Sequence, residues 1–223
     1  MNLAPALRPM LLPVALTAFR PSVSGSRNVP RTGPVILAAN HLSVVDSFLI
    51  PLLTPRRVSF LAKQEYFGRG NPKRWAVRTF LTGLDAIGVP RDGFRAAQQA
   101  LEIAKAVLDE GGAFGIHPEG SRSRDGRLYR GHTGVAWLAL ATGAPVVPVA
   151  VAGTENVQPV GTRLPRPGKV TVKFGEPMRF KPVPGTRPAK ARRDTTDEIM
   201  AAIAALSGQP LAGHYNDHSA GAL

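Results

Sequence analysis

The chain has 223 residues, of which 43% are hydrophobic, and it contains no cysteine. That length and apolar share predict one domain built around a single substantial core. The lack of cysteine excludes disulfide bonds, zinc sites with cysteine ligands and any mechanism that uses a cysteine nucleophile.

The net charge of +13 is large and unevenly distributed along the chain. Residues 48–81 contain seven basic side chains and one acidic, and residues 156–193 contain ten basic and one acidic. A surface of this kind favours an anionic partner, such as a phosphoester substrate, coenzyme A, anionic lipid or nucleic acid. Charge alone does not choose among these partners, and a basic surface can also serve solubility only.

The N-terminal segment contains an apolar stretch at residues 10–19 with Pro13 inside it and Arg8 and Arg20 beside it. The stretch is about half of the roughly 20 apolar residues that a membrane span needs. No small-residue cleavage site follows it in an apolar frame, so the signal-peptide pattern is weak. Residues 1–29 are therefore interpreted as a separate segment, either a membrane-interfacial anchor or a helix that packs on the core.

Apolar runs and helical periodicity alternate along the rest of the chain. Strands are predicted at residues 35–39, 57–62, 85–89, 113–116, 146–151 and 170–174. Helices are predicted at residues 44–53, 73–84, 94–110, 135–141 and 194–206. This order predicts an α/β fold at residues 30–206 with a mostly parallel central sheet flanked by helices, and residues 207–223 are predicted to be a disordered tail.

The first motif is NHLSVVD at residues 40–46, directly after the first predicted strand. A histidine is a natural general base near neutral pH, and a carboxylate can hold its tautomer. On an ideal helix His41 and Asp46 would be about 140° apart, so they meet only if His41 lies in the loop before the helix. Ser43 and Asp46 also fit a capping box, and His41 could simply bond to backbone; the catalytic and capping interpretations are compatible.

The second motif is HPEGSRS at residues 117–123, which follows the strand predicted at 113–116. Arg122 can hold a phosphate through two hydrogen bonds, and Ser121 and loop N–H groups can add donors. Glu119 would organise the loop or accept from a substrate hydroxyl; alternatively the loop is a basic surface turn with an internal Glu119–Arg122 pair. Both motifs fall at the carboxyl ends of strands, where open α/β sheets bind ligands.

Together the two motifs resemble blocks I and III of the glycerolipid (phosphate) acyltransferases, Asn-His-x4-Asp and usually Phe-Pro-Glu-Gly-Thr-Arg-Ser. Residues 87–91 (IGVPR) resemble block II, which ends on a phosphate-binding arginine, and residues 147–149 (VPV) resemble block IV. The four elements occur in family order, and the resemblance covers roughly residues 30–155.

The chain departs from the family pattern at several positions. His117 replaces the usual phenylalanine, a change expected to affect packing only. Ser121 replaces threonine and keeps its hydroxyl, whereas block II is a loose match from which Arg91 is carried over. His132 stands where relatives often have a lysine, so one fixed positive charge is missing.

The resemblance implies direct transfer of a fatty acyl group from a thioester to the free hydroxyl of a lysophospholipid such as 1-acyl-glycerol-3-phosphate, giving phosphatidic acid. His41 would accept the hydroxyl proton and Asp46 would orient the imidazole. The implied substrate-binding residues are Asn40, Arg91, Glu119, Gly120, Ser121 and Arg122. The two arginines would hold the phosphate of the acceptor, while Glu119 and Gly120 would shape the pocket.

The expected partners are the lysophospholipid acceptor, an acyl-CoA or acyl carrier protein donor, and an anionic membrane surface, with no specific nucleic acid and no cofactor or metal. We expect a cytoplasmic protein held peripherally on the inner face of the cell membrane. The sequence contains no Gly-x-Ser-x-Gly elbow and no His-Glu-x-x-His pair.

The sequence leaves several alternatives open. The same chemistry could act on another lysophospholipid or a glycolipid, or water could replace the acceptor in a side hydrolysis. Two alternatives are not enzymes: a membrane-binding protein without catalysis and a basic nucleic-acid-binding protein. An aromatic content of 6% and the lack of a recognisable binding module argue against the nucleic-acid alternative.

Overall fold

The computed structural model describes residues 4–68, 72–89, 94–162, 164–182 and 184–216. The strands of this part are Ser22–Ser24 (β1), Val35–Ala39 (β2), Ser59–Lys63 (β3), Ile87–Val89 (β4), Ala113–Ile116 (β5), Val146–Ala152 (β6) and Thr171–Phe174 (β7). Its α-helices are Ala4–Phe19 (α1), Asp46–Leu53 (α2), Pro72–Gly83 (α3), Phe94–Asp109 (α4), Gly134–Thr142 (α5), Thr154–Val157 (α6) and Pro188–Ser207 (α7). Short 3₁₀ turns occupy Ser26–Asn28 and Gln64–Phe67.

The strands form one sheet in the order β1-β7-β6-β2-β5-β3-β4. From β6 to β4 all neighbouring strands run parallel, whereas β7 pairs antiparallel with β6, and β1 is parallel to β7. The predicted α/β fold with a mostly parallel, helix-flanked sheet is confirmed.

The central strand β2 is buried along its whole length, because helices or loops cover both faces of the sheet. Ile36 and Ala38 pack into a core cluster that also contains side chains of α4, α5 and α7. Leu37 and Ala39 pack on the opposite face with Ile50 of α2. Burial on both faces explains why β2 reads in the sequence as a continuous apolar run rather than an alternating one.

Helix α1 packs against α2 and α3 through one face and exposes apolar side chains on another. Ala15 is buried, whereas Met10 and Val14 are 70% and 64% exposed. The buried face fits a helix that packs on the core, and the exposed apolar face is compatible with a membrane-interfacial anchor. Among the described residues, no helix has both the length and the apolar character to cross a bilayer.

Two predicted boundaries differ from the structure. β1 at Ser22–Ser24 pairs with β7, so the segment assigned to residues 1–29 contributes an edge strand of the sheet. The tail predicted from residue 207 is ordered over residues 208–216, which we name the C-terminal strap. The Leu128 N–H donates to the Pro210 carbonyl and Leu128 O accepts from Ala212, both at 2.9 Å. These hydrogen bonds satisfy backbone groups of a segment that its composition had indicated to be disordered.

Helix α7 begins at Pro188, six residues before the predicted start. Proline suits the first turn of a helix because its missing N–H would have no intrahelical partner there. Two basic residues of the first turns of α7 are paired with acidic residues one turn later, Lys190 with Asp194 and Arg193 with Asp197.

Candidate active site

The two motifs meet because β2 and β5 are neighbours in the sheet. Ala38 lies opposite Ile116 near the ends of these parallel strands; His117 follows Ile116 directly, and His41 comes three residues after Ala38. The loops are tied by a 2.7 Å hydrogen bond from the Ser123 N–H to the His41 carbonyl. The sheet topology thus brings together two strings that are over seventy residues apart in the chain.

His41 lies in the loop after β2, and Asp46 reaches back to it from the first turn of α2. His41 Nδ1 is 3.0 Å from Asp46 Oδ2. The same oxygen accepts the N–H groups of Leu42 and Ser43 at 2.7 Å each. Asp46 is fully buried, and His41 keeps 8% of its surface exposed. The geometry is the one required for a carboxylate to orient an imidazole.

The protonation of the pair follows from the surroundings of Asp46. Burial by itself raises the pKa of Asp46, but the hydrogen bond and charge of His41, the nearby His117 and the Ser43 N–H together hold it below its usual range. An ionised carboxylate only accepts hydrogen bonds, so His41 Nδ1 carries the proton. Nε2 of His41 is then the basic nitrogen.

Ser43 does not complete a capping box. Its hydroxyl donates to the Gln158 carbonyl at 3.2 Å and accepts the Val45 N–H at 3.3 Å. The bond from the Ser43 N–H to Asp46 supplies the other half of the box. One carboxylate oxygen of Asp46 therefore binds both His41 and the backbone before the helix. The catalytic arrangement and half of the capping box are thus present together.

Glu119 is fully buried and holds the two motif loops together. Its Oε1 accepts the backbone N–H of His41 and its Oε2 that of Tyr129, both at 2.9 Å. The alternative of an internal Glu119–Arg122 pair is wrong, because both carboxylate oxygens bind backbone. Burial raises the pKa of Glu119 to about 7, against the lowering effect of the two N–H donors.

Asn40 is buried and bonds to protein groups rather than lining the cleft. Its amide exchanges hydrogen bonds with the backbone of Val151 in β6, at 2.7 and 2.9 Å. A further bond of 2.7 Å runs from Nδ2 to Gln209 Oε1 in the strap. The predicted substrate contact of Asn40 is therefore replaced by a positioning contact, which anchors the loop that carries His41.

A cleft of about 290 Å³ opens beside His41. Apolar side chains of α2, β3, α3 and the loop before α2 line one part of it: Val44, Phe48, Leu61, Ala62 and Leu81. Three cationic side chains also line it: Lys63, Arg122 and Arg124. The cleft thus combines an apolar wall with a cationic rim around a basic imidazole.

Four other residues were predicted to bind substrate: Arg91, Gly120, Ser121 and Arg122. Ser121 and Arg122 line the cleft. Gly120 turns the loop with a φ of 76°, a left-handed conformation that favours glycine. Arg91 lies outside the described residues. Within the described ranges, no group of three or more His, Asp or Glu side chains could hold a metal ion.

Three contacts were missed by sequence reasoning. Ser47 Oγ, which lines the cleft, is 3.1 Å from His117 Nε2, so the expectation that His117 changes packing only is wrong. Asn216 of the strap also lines the cleft and donates to Arg122 O at 3.1 Å. His132 stacks on Tyr215, with ring centroids 5.0 Å apart. Only the proximity of Ser47 to Asp46 in sequence could have indicated any of these contacts.

Comparison with known proteins agrees with the motifs. The acyltransferase family model matches residues 20–152, which is more than half of the chain, and the chain belongs to this family.

Individual relatives carry more specific names. The chain is 32% identical over 154 residues to a 1-acyl-sn-glycerol-3-phosphate acyltransferase of Cocos nucifera, covering 65% of this chain and 46% of the relative. It is 30% identical over 141 residues to a protein of the same name in Borreliella burgdorferi, covering 63% and 54%. The chain spans about half the length of these curated relatives.

A solved structure is also similar. The crystal structure of the 1-acyl-sn-glycerophosphate (LPA) acyltransferase PlsC from Thermotoga maritima superposes with a TM-score of 0.61 at 27% identity. The match covers 87% of this chain and 79% of that one.

Proposed function

We propose that this protein transfers a fatty acyl group from a thioester donor to the free hydroxyl of 1-acyl-glycerol-3-phosphate, forming phosphatidic acid. The observation that carries the proposal is the 3.0 Å contact between His41 and Asp46 at a cleft with an apolar wall and a cationic rim. The names of the relatives support the choice of reaction.

His41 is the general base of the proposed reaction. Its Nε2 takes the proton of the acceptor hydroxyl as the oxygen attacks the thioester carbonyl. The tetrahedral adduct then expels the thiolate, which takes the same proton from the imidazolium, so His41 ends as it began. Asp46 holds Nδ1–H throughout and stabilises the positive charge that forms on the ring. The activated acyl group arrives with the donor, so the reaction needs no bound cofactor.

The lining of the cleft fits an acceptor with one anionic end and one apolar end. The Arg122 guanidinium suits a phosphate because it offers two parallel N–H donors, and Lys63 adds a further positive charge. Phe48 and Leu61 offer apolar surface for the acyl chain. The same features suit the phosphates of coenzyme A and the acidic surface of an acyl carrier protein, so either donor is compatible.

We further propose that the protein works on an anionic membrane surface, held there by α1 and α3. These helices pack together, and each exposes apolar side chains. Met10 and Val14 of α1 are 70% and 64% exposed, and Trp75 of α3 is 65% exposed. Tryptophan is favoured at the membrane interface, and the basic α3 sequence suits anionic headgroups. Leu81 of α3 also lines the cleft, which links the proposed membrane surface to the acceptor site.

The catalytic proposal is tested by measuring thiol release from oleoyl-CoA with and without 1-acyl-glycerol-3-phosphate. We expect acceptor-dependent release in the wild type and its loss in His41→Ala. Asp46→Asn should retain the fold and lower kcat by about 10²–10⁴. His214→Ala, an exposed histidine of the strap, serves as the matched control and should stay active.

Other outcomes of this assay distinguish the alternative functions. Full activity of His41→Ala would refute the assignment of the base. Release without acceptor would indicate thioester hydrolysis. Release only with a different lysophospholipid or a glycolipid would change the acceptor, and transfer only from acyl carrier protein would fix the donor.

The membrane proposal is tested by co-sedimentation with vesicles of phosphatidylglycerol and phosphatidylcholine, compared with phosphatidylcholine alone. Binding should require the anionic lipid and weaken as salt rises. Replacing Met10 and Trp75 by serine should reduce binding, whereas replacing the exposed apolar Leu164, which lies on neither helix, should not. Equal binding by all variants would contradict the role of α1 and α3.

A further inference from the structure

The imidazole ring of His117 lies flat against that of His41. The ring centroids are 3.9 Å apart and the planes differ by 8°. His117 also contacts the Phe60 ring, with centroids 5.4 Å apart and the planes tilted by 40°. Phe60 in turn lies over Gly115, where a Cβ atom would come within 2.0 Å of the Phe60 ring. The His117 ring, in contact with Phe60 over Gly115, therefore covers one face of His41.

The orientation of His117 is fixed by its hydrogen bonds. Its Nδ1 is 3.1 Å from the carbonyl oxygens of both Ala39 and Asn40. Carbonyls only accept, so Nδ1 carries the proton and the ring is held at the end of β2. Nε2 is then an acceptor, and the Ser47 hydroxyl donates to it at 3.1 Å.

Ser47 and His117 have the spacing of a nucleophile and its base, but the histidine is unsuited to that role. Burial, followed by the nearby His41, lowers the pKa of His117 to about 3. An imidazole with so low a pKa is a poor general base near neutral pH. The pair is better explained as a rigid support, in which the Ser47 hydroxyl and the β2 carbonyls hold a neutral ring in place.

We propose that His117 is a positioning residue that fixes the ring plane of His41 by stacking, in the place where the family usually has phenylalanine. The inference rests on the proposed function, since it concerns how the proposed base is held. A flat neighbour keeps Nε2 directed into the cleft while Asp46 holds the opposite edge of the ring. It also presents a π face to the imidazolium that forms when His41 takes up a proton.

Three variants separate stacking from packing and hydrogen bonding. His117→Phe keeps a ring, His117→Leu fills the space without a ring, and His117→Gln keeps polar groups without a ring. We expect kcat to fall about ten- to hundred-fold in the Leu and Gln variants, because misorientation of a catalytic group has effects of this size. KM should change by no more than about two-fold, since the hydrogen bonds of the His117 ring are to Ala39, Asn40 and Ser47 rather than to the cationic rim. The Phe variant should keep kcat within about three-fold of wild type.

A second readout needs no turnover. Carbethoxylation of His41 by diethyl pyrocarbonate, followed by mass spectrometry of the peptide, should be several-fold faster in the Leu and Gln variants than in wild type or the Phe variant. If the wild type fails to transfer acyl groups, the proposed function fails, while this labelling still reports whether the ring of residue 117 shields His41.

The inference is overturned if the Leu and Gln variants match the Phe variant in kcat and in labelling, or if the Phe variant is as impaired as they are. It is also overturned if the loss appears in KM alone. Should the Leu variant not fold, the comparison of Gln with Phe decides between the same outcomes.

Discussion

Glu119 and His41 are joined by a hydrogen bond of 2.9 Å from the His41 backbone N–H to Glu119 Oε1. Through its other oxygen the same carboxylate accepts the Tyr129 N–H, so the loop that carries the proposed base is fixed to the loop that carries Arg122. The glutamate of the second motif thus acts inside the protein, between two backbone segments, which corresponds to the loop-organising alternative that the motif allowed.

Glu119→Gln should destabilise the protein and impair catalysis. An amide offers one acceptor and one donor group, so its NH₂ would face a backbone N–H that has lost its partner. A buried unsatisfied group costs about 1–3 kcal/mol, and the displacement of His41 should lower kcat by about ten-fold. Denaturant unfolding at pH 8 and steady-state kinetics measure the two effects. The exposed Glu102→Gln on α4 is the control and should behave as wild type.

The stability of the protein should depend on pH through His117. In the unfolded chain a histidine binds a proton below about pH 6.5, whereas the folded protein resists protonation of His117 until about pH 3, because burial lowers its pKa. The stabilising contribution of neutral His117 is therefore present above pH 6.5 and is lost as the pH falls from 6.5 towards 3. His117→Phe lacks this loss. When the pH is lowered from 8 to 4.5, the free energy of unfolding of the variant should therefore rise relative to that of wild type by at least about 1 kcal/mol.

Glu119 should produce the opposite trend in the same range. With its pKa raised to about 7, the folded carboxyl takes up a proton at a higher pH than the unfolded one does. Its contribution to stability therefore grows as the pH falls from 7 to 4.5. The deficit of Glu119→Gln relative to wild type should widen over this range while that of His117→Phe shrinks. Parallel pH curves for the two variants would contradict both assignments.

Arg122→Ala should weaken acceptor binding rather than the chemical step. Loss of a charged hydrogen bond costs roughly 1.5–3 kcal/mol, which corresponds to a rise in KM of about 10- to 150-fold with kcat little changed. Arg31→Ala, an exposed arginine in the loop before β2, controls for the loss of one positive charge. A fall in kcat at constant KM would place Arg122 in the transition state instead.

Removal of residues 208–223 should raise the KM for the acceptor and lower the melting temperature. The truncation removes the Gln209 partner of Asn40 and the Asn216 contacts to the loop at Ser121 and Arg122. Removing residues 217–223 alone leaves every one of these contacts in place and is the matched control. If both truncations behave as wild type in kinetics and thermal unfolding, the strap has no part in the site.

The fold was predictable where its signals are local. Buried parallel strands such as β2 appear as apolar runs, and α4 shows clear helical periodicity ended by glycines. β1 was missed because its three residues are exposed and carry no apolar pattern, so only pairing with β7 defines it. The strap was missed because its order comes from hydrogen bonds to Leu128 and Asn40, far away in sequence.

The candidate site divides in the same way. His41 and Asp46 are five residues apart, and their meeting could be inferred from the position of a loop and a helix start. The buried roles of Asn40 and Glu119 depend on which backbone groups the tertiary structure places beside them, and the motif does not contain that information. The stacking of His117 on His41 depends on the adjacency of β2 and β5, which sequence spacing does not specify.

Asn40 takes its partners from two later parts of the chain, the backbone of Val151 and the side chain of Gln209. During synthesis the chain grows from its N-terminus, so the loop that carries His41 is made early and its supports are made late. A product of interrupted translation that stops before the strap would hold the complete histidine–aspartate motif with its anchor unfinished. The order of synthesis thus delays the completed anchor of His41 until the strap has been made.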